Sequence, residues 1–582
     1  MEAVSSSVKR ANTDDGGGPS ELKKSKVVCS YGETCYRRNP IHLMDYSHPH
    51  LEKLLSMQKD GEDMKLPAGY RPKIDTDTLL DQLQMCRDHG IAAPLKQNRR
   101  SSLPQERSQD TEPARAVESS NRCNQSSRKK QGFASRLAFA SPYNFFLTAI
   151  RDSSPTHKEL LSIRFHELLD PTLGDLDSSL QINFMVELYW LSEMYKVYGH
   201  EEKPLFLLYG EEDDTVRNAK LYFKNITTKK IKPSAFGHHH TKMSLFYYKD
   251  NSMRVVVSTA NLIASDWYNR TQGVWVSPSC PELSPDSDTG SGESPSEFKA
   301  DLLRYLSSYH LPALQEWMSR LRKTDFSAIK VCFVASVPGS HKGSDSDKWG
   351  HKRLAYFLKK FATIPSLLSP SPSKENWPVI AQCSSIGTLG ADPDSWMCGE
   401  LRSSMSQKVL LPGDMLQPPP PFRVIYPTLS NVKNSHEDLL GGACLPYSKR
   451  THEKQEWFRK FLFEWKSDRR HRSKAMPHIK TYARVSPCGR HLAWFHLTSA
   501  NLSKAAWGRV QEPKGKGGGP GLYIMSYEAG VLFLPKLLVN ESVFNLEGSA
   551  TSEKNPPFPL PWDLPLSAYG ANDKPWVNEY ML

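Results

Sequence analysis

Two His-x-Lys tripeptides, His240-Thr241-Lys242 and His478-Ile479-Lys480, stand 238 residues apart in this chain. Each is followed by a turn, a second apolar run and a near-copy of one segment. The first copy reads Ser258-Thr259-Ala260-Asn261-Leu262, then Trp267; the second reads Thr498-Ser499-Ala500-Asn501-Leu502, then Trp507. Asn and Trp keep the same separation in both. An imidazole can attack or move a proton at neutral pH. An ammonium offers a point charge to phosphate oxygens, and a carboxamide offers neutral donors. One His-x-Lys on a strand is common and means little. Two, with matching sequels, imply two half-sites facing each other, equipment that suits a phosphodiester without a metal.

The elements that carry these residues must bring them together. Side chains alternate along a strand, so His240 and Lys242 share a face, as do His478 and Lys480. Lys249-Asp250-Asn251-Ser252 turns the first run back into Met253–Ser258, and Ser486-Pro487-Cys488-Gly489 does so before Leu492–Thr498. Asn261 and Asn501 come just past the returning strands. His238 shares the His240 face while His239 points away, so the triplet reads as a polar strand entrance rather than a metal cage. Elsewhere Pro204–Tyr209 and Val331–Ala335 read as buried strands, and Leu180–Val197 and Thr451–Trp465 as helices with an apolar face. Mixed strands and helices predict α/β layers. The repeat divides the region near Thr324 as a duplication of large units, not a solenoid.

At this point the sequence resembles the phospholipase D superfamily, whose members set two His-x-Lys units across a pseudo-twofold axis. Most of them place an Asp a few residues after the Lys. This chain does not, and has the distant Asn261 and Asn501 instead, the mark of the tyrosyl-DNA phosphodiesterases of type one. Phe236-Gly237, His239 to Met243, Ala475 to Tyr482, Thr498 to Gly508 and Gly530 to Pro535 agree. The resemblance covers roughly Phe133 to the C-terminus. It implies duplicated α/β sandwich halves, with boundaries at 133–323 and 324–582. It further implies hydrolysis of the bond between a DNA 3′ end and a tyrosine or peptide derived from topoisomerase I, leaving a 3′ phosphate. His240 would be the nucleophile that forms a phosphohistidine, and His478 the general acid and then base. Lys242, Lys480, Asn261 and Asn501 would hold the phosphate oxygens, with no cofactor in the chemistry. Glu528 resembles the carboxylate that orients the nucleophile, and Gln272 the partner of the general acid; ordinary strand polarity is the other reading of both. Ser384, Ser385, Ser503 and Lys504 match the DNA groove, for single-stranded or end-frayed duplex DNA with 3′ adducts. Phe236 matches a base-stacking position, with a core aromatic as the alternative. Pro446, with Tyr447, resembles the peptide side. Phe184 falls where the family has Tyr and is assigned no role. Gly517-Gly518-Gly519 reads as a hairpin insertion. The chain also ends soon after Trp576, earlier than the family usually does, so an altered final strand or groove wall is an expectation.

Near the N-terminus, Cys29, Cys35, His42 and His48 supply two thiolates and two imidazoles within twenty residues. Tetrahedral zinc needs four such ligands, and so short a segment cannot build its own core. The string from Cys29 to Pro49 resembles the poly(ADP-ribose)-binding zinc finger, in which Tyr36 and Arg37 would take an adenine and its phosphates. The zinc would be structural, and the partner poly(ADP-ribose) or proteins that carry it.

Composition sets the frame. The net charge is +12 and the pI about 9.0, which suits a polyanionic partner as well as plain solubility. No apolar run approaches a membrane span; Pro535 and Lys536 interrupt the most apolar stretch. That disfavours a phospholipase acting at lipid head groups, as the missing Asp does. A poly(ADP-ribose) adaptor with a retired site is disfavoured by two intact half-sites. Ten cysteines in so long a chain do not make a disulfide framework. Residues 1–27 read as a disordered tail whose Lys23-Lys24-Ser25-Lys26 cluster could address the chain to the nucleus. Residues 28–50 read as the finger and 51–132 as a mostly disordered linker. A monomer is expected, present in the nucleus and also in the cytoplasm.

Overall fold

The computed structural model describes residues 27–29, 32–35, 43, 46–58, 64–67, 69–74, 76–88, 132–233, 236–288, 290–365, 376–410, 418–511, 520–548 and 555–581. The chain forms two compact units, Met1–Glu118 and Ser119–Leu582.

The larger unit holds two eight-stranded mixed sheets, one from each half of the repeat. From its second strand, the first sheet runs Phe145–Thr148, Gly273–Val276, Met253–Ser258, Met243–Tyr248, Leu176–Asn183, Leu205–Tyr209, Ile226–Lys230, with Ser162–Ile163 outside Phe145–Thr148. The second runs Cys332–Ser336, Glu528–Phe533, His491–Thr498, Thr481–Val485, Val379–Gln382, Phe422–Ile425, Leu462–Phe463, with Phe544–Asn545 on the flank of His491–Thr498. The order matches strand for strand, and so do the directions. The first five strands of each run pair antiparallel, and the last two add in parallel. This is the expected duplication of an α/β sandwich half.

Alternation decides what each face covers. In the first sheet Leu245, Val255 and Val257 point into a core shared with Phe495, Leu497, Val531 and Phe533 of the second. Phe145 lies 5.5 Å from Phe495 and 6.0 Å from Phe533, ring to ring. Phe246, Val256 and Val274 point the other way, under the helices Phe133–Phe139 and Leu188–Lys196 and against Trp267. Strands buried on both faces are almost continuously apolar, as Met253–Ser258 and Gly273–Val276 are. Both predicted hairpins form, and each closes on a residue with positive φ, Asn251 at 62° and Gly489 at 70°.

Two expected helices are corrected. Residues 180–183 belong to the strand Leu176–Asn183, and the helix covers Leu188–Lys196 alone. Leu180-Gln181-Ile182-Asn183 alternates with period two, but its polar members are also buried, Gln181 Nε2 donating to Tyr195 Oη at 2.9 Å. A strand paired on both sides looks helical when both of its faces are covered. The stretch from Thr451 to Trp465 breaks into the short helix Lys449–Glu453, a 3-10 segment Glu456–Phe461 and the strand Leu462–Phe463. Parallel pairing of Leu462 with Val424 draws its end onto the sheet. The strands Val331–Ala335 and Pro204–Tyr209 form within a residue of expectation. The reading of Gly517-Gly518-Gly519 falls on residues 512–519, outside the described residues; the strands Arg509–Gln511 and Gly521–Ile524 pair antiparallel. Trp576 is fully buried, and its amide donates to the Pro427 carbonyl.

The smaller unit carries more structure than the linker reading allowed. The helices Pro49–Leu55 and Thr76–Asp88 share a core of Leu43, Leu51, Leu54, Leu79, Leu83 and Cys86. Gln82 Nε2 donates to the Cys35 carbonyl at 2.7 Å. The described part of residues 51–88 therefore packs with the finger; residues 89–131 lie outside the described residues. Among the described residues no helix is long and apolar enough to cross a membrane.

One buried cation ties the halves of the larger unit together. Arg472, fully buried, donates through Nε and Nη2 to the Thr148 carbonyl at 3.1 and 3.0 Å. It also reaches Ser162 Oγ at 2.6 Å and Glu159 Oε2 at 2.7 Å. Stripping a buried charge pair of one partner costs roughly 3–5 kcal/mol; because Glu159 is partly exposed, Arg472→Met is expected to cost about 2–3 kcal/mol. The check is a lower urea midpoint with an unchanged slope. An unmoved midpoint would mean that this clamp contributes nothing.

Candidate active site

The two His-x-Lys segments are extended lead-ins to the strands Met243–Tyr248 and Thr481–Val485, not strand interiors. Each is anchored by the opposite half. The His240 amide donates to the Tyr527 carbonyl at 2.9 Å, and the His478 amide to the Thr271 carbonyl at 3.1 Å. His239 bridges Tyr527, and Pro477 bridges Thr271, both in parallel. The residue after each anchor carries the side chain that meets the imidazole. Glu528 Oε2 lies 2.9 Å from His240 Nδ1, and Gln272 Nε2 lies 3.0 Å from His478 Nδ1. Those partners are fixed in turn by the copied segment of their own half. Thr259 Oγ1 donates to Gln272 Oε1 at 2.8 Å, and Ser499 Oγ donates to Glu528 Oε2 at 2.5 Å.

The tryptophans that follow hold the asparagine segments, the first at the asparagine itself and the second, through Tyr482, at the residue before it. Trp267 Nε1 donates to the Asn261 carbonyl at 2.9 Å. Trp507 Nε1 donates to Tyr482 Oη at 3.0 Å, and that hydroxyl donates to the Ala500 carbonyl at 3.1 Å. Asn501 Oδ1 accepts from the amides of Ser384 and Ser385 at 3.1 and 3.0 Å, which leaves its Nδ2 as the free donor end. Asn261 Oδ1 is buried without a hydrogen-bond partner.

Both lysines are 0 % exposed, and neither meets a carboxylate within ion-pair distance among the described residues. Lys242 Nζ donates to the His240 carbonyl at 2.8 Å, and Lys480 Nζ to the His478 carbonyl. Burial, and for Lys242 also the charge of Lys480, pull the ammoniums down to about 7 for Lys242 and about 8 for Lys480. Burial also holds the imidazoles neutral, His240 at about 4 and His478 at about 3. Two desolvated ammoniums with no carboxylate in ion-pair contact, and only the more distant Asp266 and Glu528 to offset them, form a site that gains stability by taking up an anion.

Asp266 was not read from the sequence. Its Oδ2 lies 3.2 Å from His478 Nδ1 and accepts from the Asn261 amide at 2.7 Å. Burial raises its pKa, yet His478 and that amide outweigh it and hold the carboxyl at about 2. Between Asn and Trp the copies share only the Leu, so Asp266 against Ala506 is one of four differences there and carries no signal of its own in the sequence. His478 Nδ1 thus has one partner for each protonation state. Unprotonated, it accepts from Gln272; protonated, it donates to Asp266. His240 Nδ1 meets a carboxylate alone, so its proton stays on Nδ1 and its Nε2 keeps a lone pair. Phe184, given no role, sits 5.6 Å from the His240 ring, with Lys242 Nζ 5.4 Å from its centroid. The resemblance assigns it no role because the family has Tyr there; in the fold it directly follows the strand Leu176–Asn183.

The expected groove residues divide. Phe236 is 81 % exposed, which rules out the core reading and leaves its ring free for stacking. Ser384 is buried, with Oγ donating to Asn501 Oδ1 at 3.2 Å, so it shapes the site rather than facing open solvent. Ser385 Oγ donates to the Pro446 carbonyl at 2.7 Å, joining the expected DNA and peptide sides. Ser503 caps the helix Lys504–Trp507, accepting from the Ala506 amide at 3.2 Å, and places Lys504 in its first turn.

In the smaller unit Cys29, Cys35 and His48 are buried, and their donor atoms all lie within 4.8 Å of one another. Two thiolates and an imidazole so placed fit zinc. His42, Tyr36 and Arg37 lie outside the described residues. Purified protein is expected to carry about one equivalent of zinc per chain by elemental analysis. Cys35→Ser should lose it and loosen residues 27–88 to proteolysis while leaving phosphodiester cleavage intact. Retention of the metal by that variant would discard this ligand set.

Known proteins match both units. A family model described as tyrosyl-DNA phosphodiesterase covers residues 144–570, and one described as PBZ domain covers residues 26–51. Tyrosyl-DNA phosphodiesterase 1 of Drosophila melanogaster is 42% identical over 95% of this chain and 99% of its own length. A probable tyrosyl-DNA phosphodiesterase of Caenorhabditis elegans is 33% identical over 75% of this chain and 89% of its own. The crystal structure of the yeast tyrosyl-DNA phosphodiesterase superposes with a TM-score of 0.53 at 19% identity. It covers 74% of this chain and 98% of that one, a likeness of fold.

Proposed function

Because the chain belongs to the tyrosyl-DNA phosphodiesterase family, we propose that it clears DNA 3′ ends of the tyrosine or peptide left by topoisomerase I. The bond cut is the 3′-phosphotyrosyl ester, and the product end is a 3′ phosphate. The observation that carries this reading is the pair of buried, unpaired ammoniums between two imidazoles that the opposite halves hold differently.

The phosphodiester anion enters between Lys242 and Lys480, and its charge makes protonation of His478 favourable. His478 Nδ1–H is then held by Asp266, and Nε2–H faces the leaving oxygen. His240, with Nδ1–H on Glu528, attacks phosphorus through Nε2. A P–N bond forms, the P–O bond to the tyrosine breaks, and the His478 proton goes to the phenolate. Such proton transfer contributes ~10²–10⁴-fold. In the second step His478 takes a proton from water, the oxygen attacks phosphorus, and the P–N bond breaks to restore neutral His240. Dividing one displacement into two lowers each barrier. The lysines with Asn261 and Asn501 offset charge on the equatorial oxygens, the work a metal does elsewhere, and the reaction proceeds without one. Phe236 stacks on the DNA, and Ser385, Ser503 and Lys504 hold its backbone. The adduct leaves past Pro446. The finger, with structural zinc, binds poly(ADP-ribose) through Tyr36 and Arg37 and brings the enzyme to damaged chromatin in the nucleus. One chain holds both half-sites and acts as a monomer.

A 5′-labelled oligonucleotide with a 3′ phosphotyrosine tests this reading. Wild type in excess EDTA is expected to convert it to the 3′ phosphate, and His240→Ala is not. Conversion only without chelator would overturn the metal-free route; no conversion, with hydrolysis of phospholipid instead, would overturn the substrate.

The dependence on pH follows from the resting site. The nucleophile must be neutral, so kcat/KM should rise as His240 loses its proton near pH 4. The general acid His478 must gain a proton and the lysines must stay charged, so it should fall on the alkaline side, first through His478, which burial holds neutral in the free enzyme, and more steeply as Lys242 and Lys480 lose theirs near about 7 and 8. In kcat the alkaline limb should move upward, because bound phosphate stabilises both ammoniums. A flat alkaline arm would contradict the role of the lysines.

A further inference from the structure

The nucleophile half contains a buried polar chain that the other half lacks. His239 Nε2 meets Tyr309 Oη at 2.9 Å, Tyr309 Oη meets Tyr305 Oη at 2.7 Å, and Tyr305 Oη meets Thr241 Oγ1 at 2.5 Å. His239 and Thr241 are the two residues flanking His240, and all four members of the chain are buried. The other ring nitrogen, His239 Nδ1, lies 3.1 Å from the Asn183 carbonyl. A carbonyl can only accept, so Nδ1 carries the proton. Burial keeps this ring neutral, with its pKa at about 3, so Nε2 accepts from Tyr309. Every later donor is then fixed: Tyr305 donates to Tyr309, and Thr241 donates to Tyr305. The far end also reaches the site, since Asn183 Nδ2 donates at 3.3 Å to the Ala260 carbonyl, next to Asn261. The Tyr309 ring stacks on Tyr527 at 4.6 Å, and the Tyr527 carbonyl holds the His240 amide. In the second half the flanking residues are Pro477 and Ile479, whose side chains have no polar atom to continue such a chain.

We propose that His239, Tyr305 and Tyr309 are positioning residues for the nucleophile. They clamp the backbone on both sides of His240, and the residue that anchors it, to the end of the helix Phe298–Ser307. This rests on the reading of His240 as nucleophile. Attack needs the lone pair aligned with phosphorus, and misplacement by about 1 Å costs roughly 10²-fold, whereas proton transfer tolerates more. A one-directional chain of hydrogen bonds resists rotation of the peptide where apolar packing does not.

The test is single-turnover cleavage of the 3′-phosphotyrosyl oligonucleotide by the full chain, with formation and decay of the covalent histidine adduct followed separately. Tyr309→Phe is expected to slow adduct formation by about tenfold or more, with half-saturation unchanged and decay slowed less. Tyr305→Phe should do the same. The double variant should be no slower than the slower single, because both cut one chain. His239→Gln, which keeps an acceptor for Tyr309, should retain more activity than His239→Leu. Formation at the wild-type rate in both Phe variants, losses that multiply, or a loss confined to half-saturation would overturn the proposal. Absence of any histidine adduct in wild type would instead remove the nucleophile assignment, and the proposal with it.

Discussion

Everything at the centre of this molecule depends on a crossed anchorage. The amide of His240 is held by a carbonyl of the second half, and the amide of His478 by a carbonyl of the first. Each anchor is followed by the residue that meets the imidazole side chain, so one short bridge fixes both backbone and ring. Neither half can position its own histidine alone. The shared apolar core of Leu245, Val255 and Val257 against Phe495, Leu497 and Val531 is what keeps the bridges in register. Arg472 closes the same seam from the side, a few residues ahead of His478.

Duplication alone would give two imidazoles in equivalent surroundings. Some departures from symmetry fall directly beside the rings. Glu528 faces His240, while the amide Gln272 and the carboxylate Asp266 face His478. Asp266 stands where the second copy has Ala506, and Phe184-Met185 stands where the second half has Ser384-Ser385. The two parallel bridges, Val186 with Leu262 and Ile386 with Leu502, put these pairs in equivalent places. One asparagine is therefore preset by two backbone amides and the other is not. The lysines remain symmetric, as an anion held midway between them requires.

The smaller unit solves a different problem. Three described ligands cannot hold so short a segment rigid by packing, because few residues are available to bury. The helices Pro49–Leu55 and Thr76–Asp88 add a leucine core, and Gln82 reaches the carbonyl of a cysteine in the ligand set. With zinc bound, metal and core together would give the unit a stability that neither would supply alone.

The sequence by itself determined which side-chain types stand in duplicate. The paired His, Lys and Asn residues were legible because their types and spacing recur, and Glu528 and Gln272 through the family resemblance. Both hairpins and the duplication followed from turn residues and from period-two patterning. What failed were the segments whose pattern is overwritten by burial. Residues 180–183 looked helical because both faces of their strand are covered. Thr451–Trp465 was drawn onto a sheet edge by a partner far away in sequence. The tertiary structure alone decided which residues cross between halves: that Asp266 reaches the histidine of the other copy, that Ser384 is buried beneath Asn501, and that Tyr305 and Tyr309 bracket His240. These contacts join residues tens to hundreds of positions apart, and no local periodicity encodes them. They exist because two apolar sheets pack face to face, and only that packing brings the ends of their strands together.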